Sequence, residues 1–253
     1  MFASLKSELR KIWSIRSTYF ILIFAVLLIG LFAFYNEGFK AGVNSPPISD
    51  PHKLAGLVAA AVTNLALFGA LVGILSVTHE YRYNTVIYTL TSTKSRTRSL
   101  IAKWFAITLF SLIFTVFVSA LAIAAMYLGL ALKGFTLVHQ VFPLSLLWQA
   151  VFVGWGFSMF GFILAAIIRQ QVGAMAAFFL IPALGEQLLS LLLKDNRIYL
   201  PFTALQQVTL PANAGITDPR QALSPGKAAL VVCAYLAVGW FVAWYLYLKR
   251  DAN

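Results

Sequence analysis

The sequence predicts an all-α polytopic membrane protein, with six transmembrane helices preceded by an N-terminal amphipathic helix lying in the membrane interface. Three observations carry that expectation. Of the 253 residues 60% are hydrophobic and only 11% charged, and the mean hydropathy is +0.84; a soluble domain has about a quarter of its residues charged. The apolar residues gather into runs of the roughly 20 residues that a helix needs to cross hydrocarbon. The polar stretches between runs are all too short to fold separately, so residues 1–253 read as a single transmembrane domain.

The chain begins with Phe2–Ser17, where Leu5, Leu9, Ile12 and Trp13 share one helical face and Lys6, Glu8, Arg10 and Lys11 fall largely elsewhere. That is the pattern of an interfacial helix over residues 1–17. The segment is too polar and basic for a secretory signal. No small-residue cleavage pattern follows before Asn36 and Glu37, so the first apolar run is expected to stay in the mature protein.

Six spans follow: Thr18–Tyr35, Leu54–Thr78, Trp104–Leu132, Leu146–Ile168, Val172–Leu193 and Ala228–Leu248. The third is long enough to tilt or to extend beyond the bilayer. Strand alternation at barrel spacing is absent. His79–Lys103 forms the largest inner loop and mixes charge with Val86, Ile87, Tyr88 and Leu90. Lys194–Lys227 forms the largest outer loop. Its Ile198–Phe202 stretch is too apolar for a free loop and is expected to dip back into the outer leaflet, which requires protein or water to satisfy its backbone.

The net charge is +11. The basic residues cluster at the ends of apolar runs, where they anchor helices and meet anionic lipid headgroups, so nucleic acid is not an expected partner. With the N-terminus inside, twelve Lys and Arg fall on the inner side and seven on the outer side, which places both termini in the cytoplasm. The only cysteine, Cys233, lies within an apolar run and makes neither an intrachain disulfide nor a cysteine zinc site.

A search for chemistry finds little. His52, His79 and His139 lie in different loops without ligand spacing, so no metal site is expected. No Ser, His and acid grouping can be assembled. Pro225-Gly226-Lys227-Ala228 ends like half of a phosphate loop but lacks the upstream Gly and the closing Ser or Thr. No catalytic residue and no cofactor is expected in this chain. Glu186 is the one acid within a span, just after Pro182, which removes a helical hydrogen bond and kinks the fifth span. It reads either as a polar group facing a substrate path or dimer seam, or as a carboxylate that snorkels to water or meets Lys194 or Arg197. Gly69 and Gly73 form a G-x-x-x-G pair that brings two helix backbones close, at a dimer seam or within one subunit. Gly154, Gly156, Ser158 and Gly161 make a similar track in the fourth span. Trp13, Trp104, Trp148 and Trp244 sit near span ends, as an interfacial belt does.

The segment His79-Glu80-Tyr81-Arg82-Tyr83-Asn84-Thr85-Val86 follows the second span directly and continues through Leu90, Arg96, Leu100 and Lys103 into the third. It resembles the permease subunits of type-two ATP-binding-cassette exporters, such as bacterial drug, antibiotic-resistance and sodium exporters. In that family an acidic residue, an aromatic, a basic residue and a Thr close the second span. Leu5–Ser17 is similar to the family's interfacial helix, with Glu8, Lys11, Arg16 and Ser17 in matching places. The pattern departs at Asn84, where a Gly is common.

The resemblance covers essentially the whole chain and implies several things. The protein would sit in a bacterial cytoplasmic membrane and pair with a second copy or a related permease. It would bind two separate cytoplasmic ATPase subunits, which hold the ATP and magnesium. Glu80, Arg82, Thr85, Arg96 and Lys103 would belong to the coupling segment that docks on those ATPases. The cargo would be hydrophobic or amphipathic. The alternative is a non-transporting membrane scaffold or immunity-like protein built on the same helices.

Overall fold

A computed structural model describes residues 2–14, 16–35, 51–93, 95–132, 144–209 and 222–250, and all the described secondary structure is helical. Helix α1 is Phe2–Ser14 and α2 is Arg16–Phe32, whose helical path continues to Tyr35. Then come α3 (Pro51–Arg82), α4 (Val86–Thr93), α5 (Arg96–Leu132), α6 (Leu144–Ile168), α7 (Gln171–Leu180) and α8 (Glu186–Leu193). A short α9 (Pro201–Gln207) and the long α10 (Pro225–Lys249) complete the order. Lys40, Lys94, Lys133, His139 and the middle of the expected outer loop, 210–221, lie outside the described residues.

Among the described residues, five helical stretches are long and apolar enough to cross a membrane: Thr18–Tyr35, Arg96–Leu132, Leu147–Ile168, Gln171–Tyr199 and Pro225–Lys249. Helix α3 adds a further long helix of 32 residues. Their outer faces are apolar. Phe20, Leu31, Leu188, Leu192 and Leu230 are all exposed, more exposed apolar surface than a water-soluble monomer carries.

Helix α5 starts eight residues before Trp104, so the basic turn Arg96–Lys103 is helical rather than loop. The expected inner loop is therefore largely helical, and the connection from α3 to α4 has a clear cause. Asn84 adopts a left-handed backbone, φ 51°, while Thr85 N–H donates to the Glu80 carbonyl and Asn84 N–H to that of Tyr81. These are the two bonds of a Schellman cap, which wants Gly, or failing that Asn, at its left-handed position. Asn84 thus makes the turn without Gly.

The core is built by α3 lying along α6, with α5 packed on the pair and α10 on α6 and α5. Glycines set the closeness. A methyl on Gly73 would lie 2.7 Å from the Ser158 carbonyl oxygen, and one on Gly161 would lie 2.7 Å from that of Ala70. Gly69 faces Ser158 and the Gly154 carbonyl in the same seam. Of the two settings expected for Gly69 and Gly73, packing within one subunit is the one seen here: α6 of the same chain covers them. Gly154 faces Thr115 of α5, and Gly156 faces Leu205 of α9, so one small-residue track serves three neighbours.

Pro182 sits in a turn of specific geometry. Between α7 and α8 the segment Ile181–Gly185 forms a π-helical turn, and Glu186 N–H reaches back to the Ile181 carbonyl. Such turns arise where one α-type bond is missing. The apolar stretch Ile198–Phe202 folds back onto the bundle. Phe202 is buried among the rings of Phe157, Phe160 and Phe178, with centroids 4.9 to 5.8 Å away.

Candidate functional site

The most heavily charged buried site lies where α3 ends and α5 begins. Lys103 of α5 is 2% exposed, and its ammonium donates to Glu80 Oε1 of α3 at 2.5 Å and to Glu8 Oε2 of α1 at 2.8 Å. Lys11 of α1, at the cluster's exposed rim, bridges the other side, 2.7 Å from Glu8 Oε1 and 2.7 Å from Glu80 Oε1. Thr89 of α4 accepts from Lys11 and donates to Glu80 Oε1 at 3.2 Å. Two carboxylates and two ammoniums thus neutralise each other and join four helices.

The sequence reading placed Glu8 away from the apolar face of the first helix. The structure corrects this: Glu8 is buried on the same side as Ile12, and α1 packs across α5 with Trp13 against Phe110. Positions 5, 8, 9 and 12 share one helical stripe, so Glu8 is an acid within the apolar face. On α5, Lys103 likewise belongs to the buried stripe of Ser99, Leu100, Ala106, Ile107 and Phe110. Burial alone raises the Glu80 pKa, but the charges of Lys103 and Lys11 and their hydrogen bonds outweigh it and hold the carboxyl below its ordinary value.

The five residues expected to couple to a partner separate into two pairs and a single residue. Glu80 and Lys103 are buried in the cluster and brace the α3–α4 turn from within. Arg82 and Thr85 are exposed on the turn itself, beside Tyr83, Ile87 and Tyr88, which are 60%, 52% and 75% exposed. Arg82 reaches Gln171 Oε1 at the start of α7. Arg96 lies apart from the turn. Its guanidinium donates to the carbonyls of Leu248 and Arg250 and so caps the C-terminal end of α10. Arg250 caps α6 through the Ile167 carbonyl, and Arg169 donates to the Leu246 carbonyl. Part of the basic excess at this end thus completes helix C-termini, where cations also oppose the helix dipole.

Glu186 and Pro182 lie far along the chain from this cluster. The Glu186 carboxylate is buried and accepts from Phe202 N–H at 2.6 Å, Thr203 N–H at 2.8 Å and the Thr203 hydroxyl at 2.7 Å. It satisfies the first turn of α9, whose N-cap residue Leu200 has no capping side chain. Within this chain both carboxylate oxygens are engaged by the first turn of α9, and the bonds described for them come from Phe202 and Thr203 rather than from Lys194 or Arg197. Replacing Glu186 by Ala should lower the apparent melting temperature in detergent, through the loss of about 1–2 kcal/mol. Glu186→Gln, which keeps one acceptor oxygen, should lose less. A wild-type melting curve for the alanine variant would contradict the capping role.

Residues 23–252 match the family described as Protein of unknown function (DUF2705), and the chain belongs to that family. None of the curated proteins compared with it matches the chain.

Proposed function

We propose that this DUF2705 protein is the permease subunit of an ATP-driven exporter of the type-two ATP-binding-cassette kind. It crosses a bacterial cytoplasmic membrane six times with both termini in the cytoplasm, and it works as a dimer on two separate ATPase subunits that carry ATP and magnesium. One observation supports this above the others. The α3–α4 turn presents Arg82, Tyr83, Thr85, Ile87 and Tyr88 outward while Glu80 and Lys103 fix its base to α1 and α5. An exposed aromatic and basic tip on a rigid base suits a contact that must pass force to long helices. Aromatic and Arg side chains supply most of the energy in typical protein interfaces.

Within this reading the docking side chains are Arg82, Thr85 and their exposed neighbours. Glu80 and Lys103 position them, and Arg96 holds α10 in place. The test is affinity purification of the tagged protein from its own membranes, for wild type and for an Arg82→Glu, Tyr88→Glu variant. Wild type should bring down an ATPase that has no membrane segments. The variant should retain roughly tenfold less, the loss expected when a hot-spot pair is removed. Absence of any such ATPase from the wild-type eluate would favour the scaffold reading, and equal recovery with the variant would exclude this turn as the dock.

A further inference from the structure

Between α5, α6 and α10 the bundle has a half-open groove of about 400 Å³. Its wall is formed by Ile101, Trp104 and Phe105 of α5, Trp155 and Met159 of α6, and Trp240 of α10. The rings are organised: Trp104 and Trp240 lie 5.7 Å apart, and Phe162 stacks on the far side of Trp240 at 6.0 Å. The lining is almost wholly apolar. The Trp155 indole N–H already donates to Thr108 Oγ1, and no lining residue carries a buried unpartnered polar atom. Such a lining favours hydrocarbon.

A charge lies near one end of the lining. Arg98 is exposed and lies one turn before Ile101 on the same face of α5, with Phe105 a further turn along. One turn beyond Trp240 on α10, the Trp244 indole N–H donates to Thr97 Oγ1, and the Arg96 guanidinium caps the end of that helix. An apolar slot with a cationic mouth complements a molecule with an apolar tail and a negative head. A helix from a second copy suits the space poorly, because one turn of a helix about 10 Å across already fills roughly this volume. The volume also lies within the range of about 300–1,000 Å³ typical of ligand sites.

We propose that this groove is a binding site for an anionic phospholipid of the adjoining leaflet, with one acyl chain against Trp104, Trp155 and Trp240 and the phosphate at Arg98. The site does not depend on the export reading, since it requires neither a partner nor transport.

Cys233 lines the groove and is the chain's only cysteine, so it serves as a built-in reporter. The full-length protein in neutral detergent micelles is labelled there with a trifluoroethyl thiosulfonate, which transfers its S-trifluoroethyl group to the thiol and releases sulfinate, and is titrated with phosphatidylglycerol or phosphatidylcholine while the ¹⁹F resonance is followed. Phosphatidylglycerol should half-saturate the shift at a mole fraction roughly fivefold lower, the factor that one arginine near a charged headgroup supplies. Arg98→Gln should bring the two lipids together, and Ala237→Phe, which fills the groove, should abolish the response. Three results would overturn the proposal: equal half-saturation by both lipids in wild type, a response that survives Ala237→Phe, or a neutral hydrophobic dye acting at as low a mole fraction as phosphatidylglycerol. If Ala237→Phe does not fold, the wild-type lipid comparison and Arg98→Gln still decide.

Discussion

Lys103→Met is expected to release α1 from the bundle. The substitution keeps most of the side-chain volume but leaves Glu8 Oε2 without its ammonium and Glu80 with Lys11 alone. Breaking one side of a buried ion pair costs about 3–5 kcal/mol, because the remaining charge stays desolvated. The apparent melting temperature should therefore fall, and α1 should become open to protease at Lys6 and Arg10. Loss of the Trp13–Phe110 contact should be visible as a shift in tryptophan emission. Lys11→Met should cost less, since Lys11 sits at the exposed rim of the cluster with a side chain 36% exposed and water takes over part of its role.

The penalty comes from unpaired charge rather than from lost attraction, and this yields a sharper outcome. Replacing Glu8, Glu80 and Lys103 together by leucine should recover much of the loss, because apolar residues of similar volume often equal a buried ion pair. Acid should act like a partial mutation. The Glu80 carboxyl titrates below its ordinary value of about 4.5, so its contribution is complete above that pH and is lost as pH falls through the lowered value. A Lys103→Met protein that melts with wild type at neutral pH would show that the cluster does not hold α1.

The long helices were legible in the sequence because hydrocarbon length and apolar composition leave few other solutions. The charged segment that follows the second span stood out in the sequence, and the Schellman bonds at Asn84 show how its turn is made without Gly. The ion cluster was not read. Its members lie at positions 8, 11, 80 and 103, and nothing in spacing says which distant charges will meet. A signal did exist, since Glu8 and Lys103 each interrupt an apolar stripe at helical period, and a charge within such a stripe demands a buried partner. The role of Glu186 was out of reach for a different reason. It depends on the chain reversing through Lys194–Tyr199 so that α9 points its free N–H groups at a carboxylate sixteen residues earlier. The glycine pair at Gly69 and Gly73 was recognised as a close approach, but sequence alone left open whether the facing helix belonged to the same chain.

That facing helix makes the last prediction. Gly73→Ala and Gly161→Ala each place a methyl 2.7 Å from a backbone carbonyl oxygen on the opposite side of the α3–α6 seam. Backbone cannot rotate away as a side chain does, so the helices must separate, and overpacking of this kind costs about 1–3 kcal/mol per site. The two substitutions press on the same seam and should not add simply. Gly69→Ala meets the Ser158 hydroxyl at 2.6 Å instead, a group that turns aside, and should cost less. Gly30→Ala meets nothing within 4 Å and serves as the control, with a small gain expected from helix propensity. Melting curves in detergent rank the four variants, and crosslinking between copies separates the two seams. If Gly73 and Gly161 packed between subunits, their substitution would lower dimer content before it lowered the melting temperature. Within one chain the order is reversed: the bundle loosens first, in monomer and dimer alike.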